Sequence, residues 1–215
     1  MFTFSEPDDR EIAKYISSQA KLPFSYSEVG ATRSTPPSTY TVDHNRVQLG
    51  RGVEVFRRAV EALKQWRQFE LGWVEVRPHG AKVEEGAVVA VKARAGGMWS
   101  LNACRVVYVI DDGLKAGVKL AGDKTDHQVA DDPDEIKQTV RRFGFAYGTL
   151  PDHIERGEER FLIEWQADDS VWYDILAFSR PRHPLVRAGF LYARRLQKRF
   201  ARDSLAVMTS IVRQA

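Results

Sequence analysis

Strand-like segments with a hydrophobic period of two recur from Phe69 to Phe178. Residues 71–77, 87–95, 99–110, 114–121, 143–149, 159–165 and 171–178 read as strands, rich in Val, Tyr and Trp. Gly96-Gly97, Asp111-Asp112-Gly113 and Asp168-Asp169-Ser170 separate successive runs and are hairpin signals. Connections this short force neighbouring strands to run antiparallel. Then the period changes. Pro184 opens a helical stripe of Leu185, Gly189, Tyr192, Leu196, Phe200, Val207 and Ile211, interrupted around Ser204. About 28 residues at 1.5 Å each give roughly 40 Å of helix, enough to cross a whole sheet. The expected architecture is therefore α+β: a curved antiparallel sheet of six to eight strands wrapped around a long C-terminal helix at 183–213.

The first third is less regular. Residues 1–38 are polar and punctuated by Pro7, Pro23, Pro36 and Pro37, with a short helix expected at 11–18 and a loop at the paired prolines. A strand over 40–50 ends in Gly50 and Gly52. Val53, Phe56, Val60, Leu63 and Trp66, spaced by three and four, then mark an amphipathic helix. A further helix is expected at 133–140, where Pro133 suits a first helical position.

Composition narrows the class. With 215 residues, 43% of them hydrophobic, the chain can bury a core without a disulfide or metal staple, and one domain over 1–215 is expected. Apolar runs such as Val106 to Ile110 are far shorter than the ~18 residues of a membrane span. The acidic N-terminal stretch and the lone Cys104, read as a buried structural thiol, fit a reducing, cytoplasmic setting. A net charge of +3 is too small to imply a nucleic-acid binder. The cations nevertheless gather near the end, where Arg194, Arg195, Lys198, Arg199 and Arg202 form either a solvated helix face or a docking surface for nucleic acid or anionic lipid.

Motif searches exclude several chemistries. Gly50-x-Gly52 is followed by Val55 where a dinucleotide site needs glycine, and no phosphate-binding loop or serine-hydrolase elbow occurs. His44, His79, His127, His153 and His183 are too far apart for a local zinc pattern, so neither metal nor cofactor is read. Strand alternation says more. Phe143, Phe145 and Tyr147 share one face, as do Phe161, Ile163 and Trp165, while an outward Arg105 would turn Asn102, Cys104, Val106, Tyr108 and Ile110 inward. That inner face is either plain core or the wall of a ligand pocket, with Asn102, Tyr108, Phe145, Tyr147, Glu159 and Trp165 as its contacts. His153 and Glu159, in one loop, are the acid–base candidates; a solvated loop is the plain alternative. The face taken by Asp174 is undecided.

The stretches FGFAYGTLPDHIERGEERF (143–161), VWYDILAFSRPRHPL (171–185) and WSLNACR (99–105) resemble the domain-of-unknown-function family nineteen-ninety. The resemblance runs from about Phe24 to Met208. It implies a START-like, pollen-allergen-like helix-grip fold enclosing an apolar cavity, and it brings no catalytic residues with it. The expectation for function is a binder of a small apolar ligand held between sheet and C-terminal helix. Two rivals stand beside it: a cyclase- or hydrolase-type enzyme using His153 and Glu159, and an interaction module acting through the basic helix.

Overall fold

The period-two segments assemble into one sheet in the computed structural model, which describes residues 1–112, 139–182 and 190–213. After β1 (Phe2–Thr3) come β2 (Thr41–Arg51), β3 (Val74–Arg77), β4 (Val88–Ala95), β5 (Met98–Asp111), β6 (Thr139–Thr149), β7 (Glu155–Gln166) and β8 (Ser170–Pro181). Their spatial order is β2-β8-β7-β6-β5-β4-β3, and every neighbouring pair is antiparallel. β1 pairs with the start of β5, where β6 has already ended. The expected strand at 114–121, the bulk of the helix at 133–140 and the helix start at Pro184 lie outside the described residues. Thr139 and Val140, expected to end that helix, instead begin β6.

Three register shifts bend the sheet, each with one extra residue: in β2 between Gln48 and Gly50, in β5 between Val106 and Tyr108, and in β6 between Thr139 and Arg141. The result is a helix-grip fold whose inner face meets the second helix and the C-terminal helix.

α1 (Asp9–Gln19) starts at a capping box, Asp8 accepting from the Glu11 amide at 2.8 Å and Glu11 accepting from the Asp8 amide at 2.9 Å. Its Ile12 and Tyr15 pack on the outer face against Ala90, Leu101, Ala103 and Leu150. The Tyr15 hydroxyl donates to the Leu101 carbonyl at 3.1 Å and accepts from the Ala103 amide at 3.2 Å. It thereby satisfies β5 backbone in the gap between β1 and β6.

The chain from Phe24 to Tyr40 crosses the outer face, with Tyr26 and Tyr40 edge-on to Phe178. It is anchored by Glu158, which is 2% exposed. The carboxylate accepts from the Tyr26 hydroxyl at 2.6 Å, the Gly30 amide at 2.7 Å, and the Thr32 amide and hydroxyl at 3.0 and 2.5 Å. A side chain at Gly148 would overlap the Tyr26 hydroxyl, so glycine there keeps the clamp closed.

On the inner face, Gly52, at φ 90°, turns β2 into α2 (Val53–Lys64), which leads to a 3-10 turn at Arg67–Phe69. Phe56, Leu63, Trp66 and Phe69 from this unit fill one half of the inner face. Trp66 meets Phe145 edge-on at 4.6 Å, and Phe69 meets Phe161 at 5.5 Å; such pairs add about 0.5–1.5 kcal/mol beyond area burial.

α3 (Phe190–Arg213) covers the other half. Its buried line is Ala201, Ser204, Met208 and Val212, rotated from the expected stripe; Tyr192 is exposed, and Leu196, Phe200, Val207 and Ile211 are only partly buried. The rotation has a chemical reason. Ser204, read as a gap in the stripe, is fully buried, as Met208 is, and the Tyr173 hydroxyl lies 3.0 Å from its own.

Candidate functional site

α2 and the 3-10 turn pack the inner face at one end, but the space beneath the first half of α3 is walled by short side chains. Ala93 and Ala95 of β4, Ala177 of β8, and Ala193 and Ala201 of α3 cannot bridge the gap between sheet and helix. The consequence is a cavity of about 1020 Å³, at the upper end of the range for small-molecule sites. Its apolar surface is completed by Phe69, Trp73, Val91, Ile175, Leu196 and Phe200.

Polar groups in this wall are few and directed. Tyr147 and Glu159 stand opposite each other across β6 and β7, and the tyrosine hydroxyl donates to Glu159 Oε2 at 2.7 Å. Burial pushes the Glu159 carboxyl up from 4.5 to about 7; the Tyr147 bond opposes the shift, and the nearby Glu155 and Asp43 charges add to it. At neutral pH this carboxyl is therefore divided between its two protonation states. Burial also raises the Tyr147 hydroxyl well above its usual value, so the tyrosine remains the donor.

Asn102 lines the same space, donating to Ser100 Oγ at 3.1 Å while its Oδ1 accepts from the Ile154 amide at 3.4 Å. It thus holds the turn between β6 and β7 against β5. That turn carries His153, which also reaches the cavity. Its Nδ1 accepts from the Glu155 amide at 3.0 Å, which leaves the proton of the neutral ring on Nε2. Burial lowers the His153 pKa to about 3, and the positive N-terminus acts in the same direction.

The structure corrects several expectations. His153 and Glu159 share the cavity but no hydrogen bond: the imidazole is turned onto the Glu155 amide and the carboxylate onto Tyr147. The two side chains are therefore not bonded to each other in this arrangement. Tyr108 is on the outer face, because the extra residue in β5 flips the strand; its hydroxyl is 2.7 Å from Thr32 Oγ1, and Arg33 lies 4.1 Å above its ring. Val109 joins the inner core in place of Ile110. Phe145 and Trp165 do face inward, but under α2: Phe145 touches Trp66, and Trp165 stacks on Phe56 at 5.8 Å with its indole donating to Asp169. Both are core, not cavity wall. Asp174 is on the outer face, between His44 at 2.6 Å and Arg160 at 2.9 Å.

The basic helix is largely spoken for. Arg194 binds Asp43 through both terminal nitrogens at 2.5 and 2.6 Å; Arg199 and Arg202 both bind Asp203. Arg199 also lies 4.5 Å above the Trp73 ring, whose indole donates to Asp203. Cys104 is fully buried and its thiol is pushed up, so it is an unreactive core residue.

One polar cluster has no counterpart in the sequence reading. Gln197 donates to Glu155 at 2.5 Å and Ser179 at 3.1 Å and accepts from Arg194, joining α3 to β2, β7 and β8 at the cavity edge. Asp43 and Arg194 are far apart in sequence, and no local pattern marks the pair. Among the described residues, no cluster of three His, Cys, Asp or Glu could hold a metal ion, and no helix is long and apolar enough to cross a membrane.

A family model described as Domain of unknown function (DUF1990) matches residues 25–207. The chain belongs to this family. The DUF1990 segment contains β2 to β8 and the part of α3 up to Val207, hence Tyr147, His153 and Glu159, and leaves out β1, α1 and the last turns of α3. A UPF0548 protein of Dictyostelium discoideum is 34% identical over 229 residues, covering 99% of this chain and 96% of that protein. A UPF0548 protein of Deinococcus radiodurans is 32% identical over 215 residues, covering 94% of each. Among solved structures, that of Ara h 8.0201 is similar over 81% of this chain and 99% of its own, with a TM-score of 0.43 and 11% identity.

Proposed function

We propose that this DUF1990 protein binds a small, mainly apolar molecule in the cavity beneath α3, with Tyr147, Glu159 and Asn102 as its polar contacts. The observation that carries the reading is the unfilled volume of about 1020 Å³ beside a closely packed aromatic core in the same inner face. A globular interior normally leaves few voids larger than a water, so so large a space with sparse, directed polar groups is built as a site. Fluorescence titration with the uncharged probe N-phenyl-1-naphthylamine tests it, together with native mass spectrometry of protein taken from its host. Ala177→Trp, which fills the wall, should abolish probe binding while the chain stays folded. A parent that binds no apolar probe and retains no added mass would overturn the reading.

A second reading draws on Glu159 alone. A carboxyl titrating near neutrality suits general acid–base work, so a cyclase- or hydrolase-type reaction would run through Glu159, with His153 as a neutral hydrogen-bond donor. Turnover of any cavity-sized substrate that Glu159→Gln abolishes and His153→Ala weakens would favour it over simple binding.

A further inference from the structure

The charges around the cavity are lopsided. Asp43, Glu155, Glu158 and Glu159 all line it; Glu158 is taken up by the outer clamp, and a half-buried cation, Arg194, lies beside the other carboxylates at the cavity edge. Arg194 is committed to Asp43 through two short bonds. Glu155 is held by the neutral amide of Gln197. Glu159 is held by the Tyr147 hydroxyl at one oxygen, and among the described residues no cation pairs with it. Lys198 and Arg202 reach the cavity edge from α3, but both are exposed and Arg202 is bound to Asp203, so water and that carboxylate screen them.

We propose that the molecule this cavity takes carries a basic amine, whose cation meets Glu159 at the wall while its apolar part fills the space beneath α3. The inference deepens the ligand reading above and rests on it. A carboxylate in an apolar wall is costly to ionise without a counter-ion, and a ligand ammonium supplies one in a half-buried place where water dilutes the attraction less than in bulk. An ammonium group also matches the chemistry offered: Glu159 and Glu155 are acceptors when ionised, and both lie deep enough for burial to raise their carboxyls. A ligand carboxylate would meet like charge from Glu155 and Glu159, while the guanidinium at the cavity edge, Arg202, is already bound to Asp203. A ligand alcohol would donate one hydrogen bond to the carboxylate but bring no charge to offset it.

The test is competition at about pH 8 against N-phenyl-1-naphthylamine bound to the whole chain, using decylamine, decanol and decanoic acid as chain-matched competitors. Decylamine should displace the probe at a concentration at least ~10-fold below decanol, with decanoate weakest. Glu159→Gln should bring decylamine to within about threefold of decanol and leave decanol unchanged; folding of the variant is read from probe binding itself. Lowering the pH to about 5.5 should erode the amine advantage of the parent, as Glu159 gains its proton. Equal displacement by amine and alcohol, a preference for decanoate, or an amine advantage that survives Glu159→Gln would overturn the inference and leave the apolar-ligand reading standing. Failure of the probe to bind the parent would remove both.

Discussion

The hydroxyl of Ser204, at the centre of α3, lies 3.0 Å from the hydroxyl of Tyr173 on β8, and both side chains are fully buried. This polar contact acts with those of Arg194 to Asp43 and Gln197 to Glu155 in holding the helix over the sheet. Ala201, Met208 and Val212 face inward with Ser204, and Leu196 and Phe200 border the cavity.

Removing either hydroxyl strands the other. Ser204→Ala and Tyr173→Phe should each cost about 1–3 kcal/mol, and the double variant less than their sum, because no unpaired hydroxyl then remains. Urea denaturation of the four proteins measures the cycle. Strict additivity would mean that the two groups do not interact.

Core and wall positions on α3 should respond differently. Met208→Ala empties packed core and should lose about 2–5 kcal/mol. Leu196→Ala, at the cavity, gives up fewer contacts and should cost less than half as much while changing the affinity for an apolar probe. Thermal unfolding beside a probe titration separates the two effects.

Glu159 makes stability depend on pH. Its pKa rises from 4.5 in the unfolded chain to about 7 on folding, so between those values the native state holds a proton that the unfolded state has released. Native stability therefore falls as pH rises from about 4.5 to 7, and the loss is complete above that, at about 3 kcal/mol. Glu159→Gln carries no such penalty. The stability of the variant relative to the parent should climb across this window and then level off, as measured by denaturant midpoints from pH 4.5 to about 8.5.

Glu158→Gln tests the outer clamp. Tyr26, Gly30 and Thr32 together direct four donors at this carboxylate, and an amide cannot accept them all. A loss of about 3 kcal/mol is expected, with hydrogen exchange accelerated first at residues 24–40. Unchanged exchange there would show that the segment is held by its aromatic contacts alone.

His153 should stay neutral across the physiological range. Its ring nitrogens, followed by NMR from pH 5 to about 8, are expected to keep constant shifts with the proton on Nε2. A titration near neutrality would mean that the imidazole meets water or a carboxylate in solution.

Strands, the two earlier helices and the inner faces of β6 and β7 could be read from residue order because alternation and helical spacing are local. Tyr147 and Glu159 were found that way. Tyr108 was misplaced because Val-Val-Tyr-Val-Ile is apolar throughout, so nothing in it shows where the phase slips. Phe145 and Trp165 were correctly turned inward, yet which part of the inner face α2 fills depends on contacts remote in sequence. Ser204 looked like a gap since its partner, Tyr173, is on another element. The same remoteness hid the Asp43–Arg194 pair and set His153 apart from Glu159.

The extra residue in β5 has a bearing on how relatives are compared. Before Val107 the odd and even positions of the strand belong to opposite sides from those after it. Any pairing of two sequences that closes or opens a gap here exchanges the cavity lining for the surface beneath the N-terminal segment. A homologue differing by one residue between Val106 and Tyr108 would then present a different interior without a single substitution in its neighbours.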